Sequence, residues 1–422
     1  MSNITYIYAR EILDSRGLPT IECSIWLDTG HMVTSSVPTG LESGKYSAVS
    51  LVDHDPNEMN GQGVTKAINN INAIIAPQLV GKDPTKQTEA DQLLINLDGT
   101  RDKSKLGANA LLAVSQAVLK AGAACVEMPL YYYIQQKYQT VESFKIPTCI
   151  YSMLNGGIYG TDNLDLKDFS IIPASYIEYR KSLNIAVTFF QKLEEVLIAK
   201  EAIHCVGKVG GFAPNLYSNI DAFEILVETT KSTRYTFAQD LFLGIDASAS
   251  NLHEDGKYLL RDRSKPFTAK ELLVYYQTLR TTHQVIHIED PFQEDDWKSW
   301  QELTRELGET TNIVGNKLVT ANKERLQKVV EQKLCNAVAV KPIQAGTISE
   351  TIDFIKTAKE SGLKVIISQR SGETNDKFLA DLAVGVGANF VRFGAPNRGE
   401  RVAKYNRLLE IYQQLAEWSN PQ

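Results

Sequence analysis

The sequence lacks several features that would assign it to a specialised class of protein. It has no continuous run of about 18 apolar residues, which is the length that a membrane-spanning helix needs. Its five cysteines lie far apart without a CxxC pair, which argues against a disulfide framework or a zinc site and favours reduced thiols. No basic segment followed by an apolar stretch begins the chain, so a secretory signal is not expected. We therefore expect a cytoplasmic protein that spans no membrane.

An excess of positive charge is also missing. The chain has 44 Lys and Arg against 50 Asp and Glu, a net charge of -6, which argues against nucleic-acid binding through bulk positive charge. Its hydrophobic content of 43% and charged content of 22% are typical of a folded globular chain and exclude a mainly disordered one. With 422 residues, it has room for two or three domains with large cores.

The first third of the chain changes from a strand pattern to a helix pattern. Residues 20–27 alternate between apolar and polar side chains, which predicts a strand, and residues 29–31 suit a hairpin turn. From residue 64 onward, apolar residues recur three and four positions apart, which predicts amphipathic helices. Strands followed by helices predict a small α+β domain over residues 1–140, and the polar stretch 139–143 is a plausible linker.

The remainder, residues 141–422, alternates between short apolar runs and segments of helical period. The runs cover residues 169–172, 241–246, 285–289, 313–316, 337–341, 364–369 and 389–392. The polar ends of the last five runs follow one another at intervals of 27, 25, 28 and 23 residues, about one strand and one helix each. Near-continuous apolar runs are typical of buried parallel strands. We predict an eight-stranded α/β barrel of the TIM type, although the spacing also allows a doubly wound open sheet.

Polar residues close these runs, and in a barrel the chemistry sits where the strands end. We expect the closing residues to converge on one mouth of the barrel, joined by the residue that precedes the first run. They are Asp168, Asp246, Glu289, Asn316, Lys341, Gln369 with Arg370, and Arg392.

Several blocks of the sequence resemble the enolase family. Residues 14–20 resemble its DSRGNPT block, 104–110 its SKLGANA block, 154–157 its LNGG turn, 288–297 its IEDPF and EDDW stretch, and 370–374 its RSGET block. The blocks are collinear over nearly the whole chain. The resemblance implies an N-terminal α+β domain packed on an enolase-type barrel, usually as a homodimer. It also implies Mg²⁺-dependent removal of water from 2-phosphoglycerate to give phosphoenolpyruvate.

Several residues match the positions to which the resemblance assigns a role. Asp246 and Glu289 match two of the three carboxylates that hold the first metal ion. Lys341 matches the base that removes the proton. Arg370 and Ser371 match the residues on the phosphate side of the substrate. The scaffold and the proton-abstracting half of the family's site are therefore expected here.

Other positions depart from the family pattern. Asn316 stands where the third metal carboxylate is expected, and Mg²⁺ prefers carboxylate oxygens, so its affinity should fall. Val209 replaces the general-acid glutamate, and the partner glutamate is shortened to Asp168. Loss of one proton-transfer group typically costs about 10²–10⁴ in rate. Glu42 stands at the metal-binding serine of the mobile loop, where its charge could replace the one lost at Asn316.

Further departures concern the substrate side and the dimer. Tyr159 and Gln369 stand where the family has histidines, and Arg392 stands where it has a substrate-binding lysine. Glu22 and Glu410 occupy the two positions that form an interchain ion pair in the family. Two like charges do not attract each other, so the usual interface of the homodimer is in doubt.

These departures affect metal binding, proton donation and the loop together, while the residues that build the fold are kept. We interpret the protein as an enolase homologue that is impaired in the family reaction and binds a small anionic phosphate or carboxylate ligand. Three alternatives stay open. They are enolate chemistry on a related phosphate or phosphonate carboxylic acid, a non-catalytic binding scaffold, and a drifted but genuine enolase.

Overall fold

A three-stranded antiparallel sheet begins the chain. The structure is a computed structural model that describes residues 2–40, 44–161, 163–261 and 263–419. The three strands are Ile4–Leu13, Pro19–Leu27 and Met32–Ser36, paired in chain order. The strand predicted over residues 20–27 and the turn that follows it are confirmed.

Helices follow this sheet along the chain. They are Thr65–Asn69, Asn70–Ile75 and Ala76–Leu79, which follow one another directly, then Gln87–Asp98, Ala108–Cys125 and Leu130–Tyr138. The helix Ala108–Cys125 packs on the second and third strands. It is long and apolar enough to cross a membrane, with a mean hydropathy of 1.3, but 83% of it is buried inside the protein. This burial is typical of the central helix of a globular domain.

Eight strands close into a barrel in chain order. The first to eighth barrel strands are Thr148–Asn155, Asp168–Pro173, Leu241–Asp246, Val285–Glu289, Asn312–Gly315, Ala337–Val340, Lys364–Ser368 and Phe390–Gly394. The predicted α/β barrel is thereby confirmed, and the doubly wound open sheet is excluded. Each of the seven predicted runs lies on a barrel strand, whereas the first barrel strand was not predicted.

The expectation of parallel strands is wrong for the second barrel strand, which runs antiparallel to both of its neighbours. Residues 156–167 connect it to the first strand, and the regular structure among their described residues is the short 3₁₀ turn Gly157–Tyr159. A parallel crossover usually contains a helix, which the described part of this connection does not form, and the chain turns back instead. Asp168, which begins its strand, therefore lies opposite Asp246, which ends the next one.

Helices surround the barrel and an apolar cluster fills it. The helices are Tyr179–Ala199, Asn219–Lys231, Ala269–His283, Trp297–Leu307, Lys323–Gln332, Pro342–Ala345, Ile348–Glu360, Phe378–Gly385 and Gly399–Ser419. Capping boxes at Ser218 and Thr268 fix the starts of two of them. The inner cluster consists of Ile150, Ile172, Val314, Ala337, Ala339 and Ile366. This packed interior leaves the end of the barrel as the place for chemistry.

The N-terminal domain contacts the barrel beside the seventh strand. The backbone of Thr39 pairs with that of Gly372, with N···O distances of 2.7 and 3.1 Å. Deeper in this contact, Lys120 of the central helix forms an ion pair with Asp376 at 2.7 Å. The guanidinium of Arg370 packs so closely on Gly40 that a Cβ there would overlap it. The first domain therefore covers one side of the barrel mouth.

Candidate active site

The structure brings five of the predicted polar residues together at one end of the barrel. Asp246 and Glu289 end the third and fourth strands, Asn316 and Lys341 follow the fifth and sixth, and Arg392 lies within the eighth. Their exposed fractions lie between 0% and 7%. Such buried polar groups require partners, so their mutual contacts decide what this end of the barrel can do.

The guanidinium of Arg392 contacts three carboxylates at once. Nη1 donates to Glu289 Oε2, Nη2 donates to Asp246 Oδ2 at 2.9 Å, and Nε lies 3.6 Å from Asp168 Oδ2. Burial by itself lowers the pKa of Arg392, but Glu289 and the two aspartates outweigh it and hold that pKa above its ordinary value. Arg392, predicted on the substrate side, thus faces the predicted metal carboxylates.

Lys167 adds a second cation to the same group. Its Nζ lies 2.9 Å from Asp246 Oδ2, donates to Ser248 Oγ at 2.9 Å and lies 4.8 Å from the ring centre of Tyr159. Burial opposes the ionised state of Asp246, yet Lys167 and Arg392 together hold the pKa of that carboxyl below its usual range. Asp246 therefore stays a carboxylate between two cations.

Asp168 is held in place rather than directed at solvent. Its oxygens accept hydrogen bonds from Ser152 Oγ at 2.9 Å and from Asn155 Nδ2 at 2.8 Å. Burial raises the pKa of Asp168 to about 6, against the opposing effect of the nearby Arg392. The antiparallel turn places this aspartate beside Arg392, a juxtaposition that the separate sequence motifs do not reveal.

Asn316 and Asp290 complete the acidic cluster. Carboxylate oxygens of Asp246, Glu289 and Asp290 lie within 4.8 Å of one another. Asn316 Nδ2 donates to Glu289 Oε1 at 2.9 Å, and the backbone N–H groups of Asn316 and Lys317 donate to Asp290. Burial and the charges of Glu289 and Asp246 raise the pKa of Asp290 to about 7. Hydrogen bonds from the fifth strand's loop thus hold two of the three carboxylates.

The acidic cluster offers oxygen atoms of the kind that bind a divalent metal ion. Oδ1 of Asp246 and Oδ1 of Asn316 are buried oxygens without a hydrogen-bond partner among the described residues, which by itself favours an ion. However, Arg392 already contacts Asp246 and Glu289, and Lys167 contacts Asp246 as well. The carboxylates are therefore already paired with cations of the protein. In this arrangement the residues do not fit a divalent ion together with Arg392 and Lys167.

Lys341 follows the sixth barrel strand and is 7% exposed. Burial, helped by the charges of Lys167, Arg370 and Arg392 and opposed by Glu289, lowers the pKa of its amine to about 7. A lysine with such a pKa is largely neutral slightly above pH 7 and can accept a proton there. The residue predicted to be the base thus has the pKa that a base needs.

A narrow cleft opens beside Lys341. Its lining residues are Gly44, Ile158, Tyr159, Lys167, Asn316, Lys317, Lys341, Gln344, Arg370 and Ser371. Four of them are cationic side chains, and none of the described residues that line the cleft carries a carboxylate. In this conformation the cleft encloses about 30 Å³, which is room for little more than a water molecule. A larger anion requires its walls to move apart on binding.

Val209 occupies a closed, apolar position. It is 1% exposed, and its backbone carbonyl accepts a hydrogen bond from the Ala395 N–H at 3.0 Å. Its neighbour Lys208 turns outward and donates to the Ile158 carbonyl at 2.8 Å. The Val209 side chain has no proton to donate to a leaving hydroxide, and Lys208 does not line the cleft beside Lys341.

Three other predicted residues, Gln369, Arg370 and Ser371, share one structural partner. Gln369 Oε1 accepts a hydrogen bond from the buried Arg401, whose guanidinium also donates to the carbonyls of Arg370 and Ser371. Sequence reasoning missed Arg401, which lies in the last helix without a recognisable motif. These hydrogen bonds hold the backbone of the loop that carries Arg370 and Ser371. Glu42 lies outside the described residues, so the prediction that its charge replaces the one lost at Asn316 stays a prediction.

Comparison with known families agrees with this architecture. Residues 4–134 match the family described as enolase, N-terminal domain, and residues 143–420 match the family described as enolase, C-terminal TIM barrel domain. The two matches follow each other in the order of the two structural units and span nearly all of the chain. With the mixed barrel and the polar residues at its mouth, they show that this chain belongs to the enolase family.

Proposed function

We propose that this protein binds a small phosphorylated carboxylic acid in the cleft beside Lys341 but does not dehydrate 2-phosphoglycerate at an enzyme's rate. The observation that carries the proposal is the charge of the cleft. Four lysine and arginine side chains line it, and the described lining residues include no carboxylate. Such a surface attracts a ligand with several negative charges, as phosphate and carboxylate groups provide.

The first half of the family reaction keeps its central residue. Lys341 is buried, and burial with the neighbouring cations lowers its pKa to about 7, so its neutral amine is available to accept a proton. Bound Mg²⁺ supplies neutralisation of the negative charge that develops on the substrate carboxylate. Here Arg392 and Lys167 already contact the carboxylates that would hold the ion. We therefore assign no step to a metal.

The second half of the reaction lacks the family's proton donor at position 209. A hydroxide leaves a carbon atom only when it receives a proton or is held by a metal ion. Val209 is apolar, and Asp168 is bound to Ser152, Asn155 and Arg392. The rate of dehydration should therefore fall by at least the factor of about 10²–10⁴ that one proton-transfer group supplies.

A coupled assay of phosphoenolpyruvate formation from 2-phosphoglycerate with excess Mg²⁺ tests this proposal. We expect no turnover above that of the Lys341→Met variant. Turnover of about 1–10³ per second, as enzymes typically show, would contradict the proposal and favour a genuine enolase.

A second candidate is enolate chemistry without loss of water, on a related phosphate or phosphonate carboxylic acid. The low pKa of Lys341 favours it, because proton removal next to a carboxylate needs only the base and the surrounding cations. NMR in deuterated water tests it with 2-phosphoglycerate or a phosphonate analogue as the probe. We expect exchange of the proton next to the carboxylate in the wild-type protein and none with Lys341→Met.

The homodimer that the resemblance implies also stays a proposal. Within the chain, Glu22 pairs with Arg10 at 2.7 Å, and Glu410 pairs with Lys377 and Arg407 at 3.1 and 3.0 Å. Each glutamate thus has a cationic partner of its own, which offsets the repulsion expected between them across an interface. Light scattering on the purified protein decides between monomer and dimer.

A further inference from the structure

One side chain of the site has a position that neither the proposed ligand nor the proton transfer explains. Arg392 is directed at Asp246 and Glu289 and does not line the cleft beside Lys341. We propose that Arg392 is the resident cation of this site. Its guanidinium takes the place between Asp246 and Glu289 that a divalent ion would take, so the site is assembled without metal.

The shape of the guanidinium suits this role. Its planar fork offers several N–H donors in fixed directions and matches carboxylate oxygens. Nη1 is directed at Glu289, Nη2 at Asp246 and Nε at Asp168, so one side chain connects the second, third, fourth and eighth barrel strands. Mg²⁺ needs oxygens at about 2.0–2.1 Å in nearly octahedral geometry. An ion can reach the same oxygens only after the arginine has moved away.

The local charge leads to the same conclusion. Three carboxylates, those of Asp168, Asp246 and Glu289, contact two cations, Arg392 and Lys167. These five buried side chains together therefore carry a formal net charge of about −1. Arg392 and Lys167 thus already offset most of the carboxylate charge, and removal of Arg392 would leave more of it uncompensated. Burial of an uncompensated charge is costly, so the ion and Arg392 compete for the carboxylates.

The fold also fixes Arg392 in this position. Its backbone carbonyl accepts a hydrogen bond from the Gln369 N–H at 3.0 Å, and its strand pairs with the seventh strand in register at Ser368. A lysine at this position carries the same charge but a single ammonium group, which cannot contact three carboxylates in one plane. Arg392→Lys is therefore the matched variant, because it keeps the charge and removes the fork.

Titration with Mn²⁺, followed by electron paramagnetic resonance and without any organic ligand, tests the inference. We expect no saturable binding to the wild-type protein at millimolar Mn²⁺, and no change in its melting temperature with EDTA or Mg²⁺. Arg392→Lys should bind Mn²⁺ at least about tenfold more tightly. The double variant Asp246→Asn with Arg392→Lys should lose that gain, which assigns the binding to this cluster.

Two results would overturn the inference. One is saturable Mn²⁺ binding by the wild-type protein that Asp246→Asn abolishes, and the other is a folded Arg392→Lys variant without any gain. The wild-type titration decides the question even where Arg392→Lys fails to fold. Failure of the proposed function has a different signature. Turnover of 2-phosphoglycerate in EDTA would contradict that function and still support Arg392 as the resident cation.

Discussion

Protonation of Lys341 should control the affinity of the cleft for anions. Burial and the charges of Lys167, Arg370 and Arg392 lower its pKa to about 7. Below this pH the amine carries a positive charge in a cleft whose other cationic side chains already favour anions. Binding of a phosphorylated carboxylate should therefore strengthen as the pH falls through 7.

The size of the effect follows from the pKa. With a pKa of about 7, roughly nine-tenths of the lysine is protonated at pH 6 and roughly one-tenth at pH 8. If the ligand binds only the protonated form, its dissociation constant rises about tenfold over these two pH units. This is an upper limit, because weak binding to the neutral form makes the dependence shallower.

Calorimetry with phosphoenolpyruvate between pH 6 and 8 measures the effect. The second ionisation of the ligand's phosphate, with a pKa of about 6, also changes its charge in this range. Lys341→Met serves as the control, because the ligand's own titration is the same with both proteins. We expect the ratio of the two affinities to change by up to about tenfold. Parallel pH profiles of the two proteins would refute the assignment of this titration to Lys341.

The same lysine should influence stability. Folding lowers its pKa from 10.5 to about 7, so the folded state binds this proton less tightly than the unfolded chain. The free energy of unfolding should therefore decrease as the pH falls from about 10.5 to about 7, and this contribution should stay constant outside that range. Lys341→Met should remove this component from the pH profile of urea unfolding, and an unchanged profile would contradict it.

Two substitutions test how the barrel mouth and the domain contact are held. Asp246→Asn removes the carboxylate that pairs with the buried Lys167 as well as with Arg392, and loss of a partner from a buried ion pair typically costs about 3–5 kcal/mol, so the urea midpoint should fall. An unchanged midpoint would show that Arg392 is compensated elsewhere. Gly372→Ala places a Cβ where it overlaps the carboxylate of Asp14, and overpacking of this kind typically costs about 1–3 kcal/mol. Gly399→Ala is the steric control, because its backbone lies outside the left-handed region and the nearest atom lies 3.8 Å from the added Cβ; equal losses in both variants would refute the argument.

Much of the fold could be predicted because its signals are local. Apolar runs with polar ends identified seven of the eight barrel strands, and their spacing indicated the intervening helices. The strand Thr148–Asn155 was missed, since it stands apart from the regular series of runs. The antiparallel second strand was also missed, because a strand's apolar pattern is the same in either direction. Its direction depends on the short connection that precedes it.

The sequence by itself determined the chemical identities at the barrel mouth. A lysine follows the sixth strand, carboxylates end the third and fourth, and a valine stands where the family has its acid. These identities are local and need no coordinates. Only the tertiary structure decided which of them touch. Arg392 meets Glu289 and Asp246 across 103 and 146 residues of chain. Closure of the barrel places these side chains at one end of it. Because they are buried there, each charge must be paired with an opposite charge or a hydrogen-bonding group.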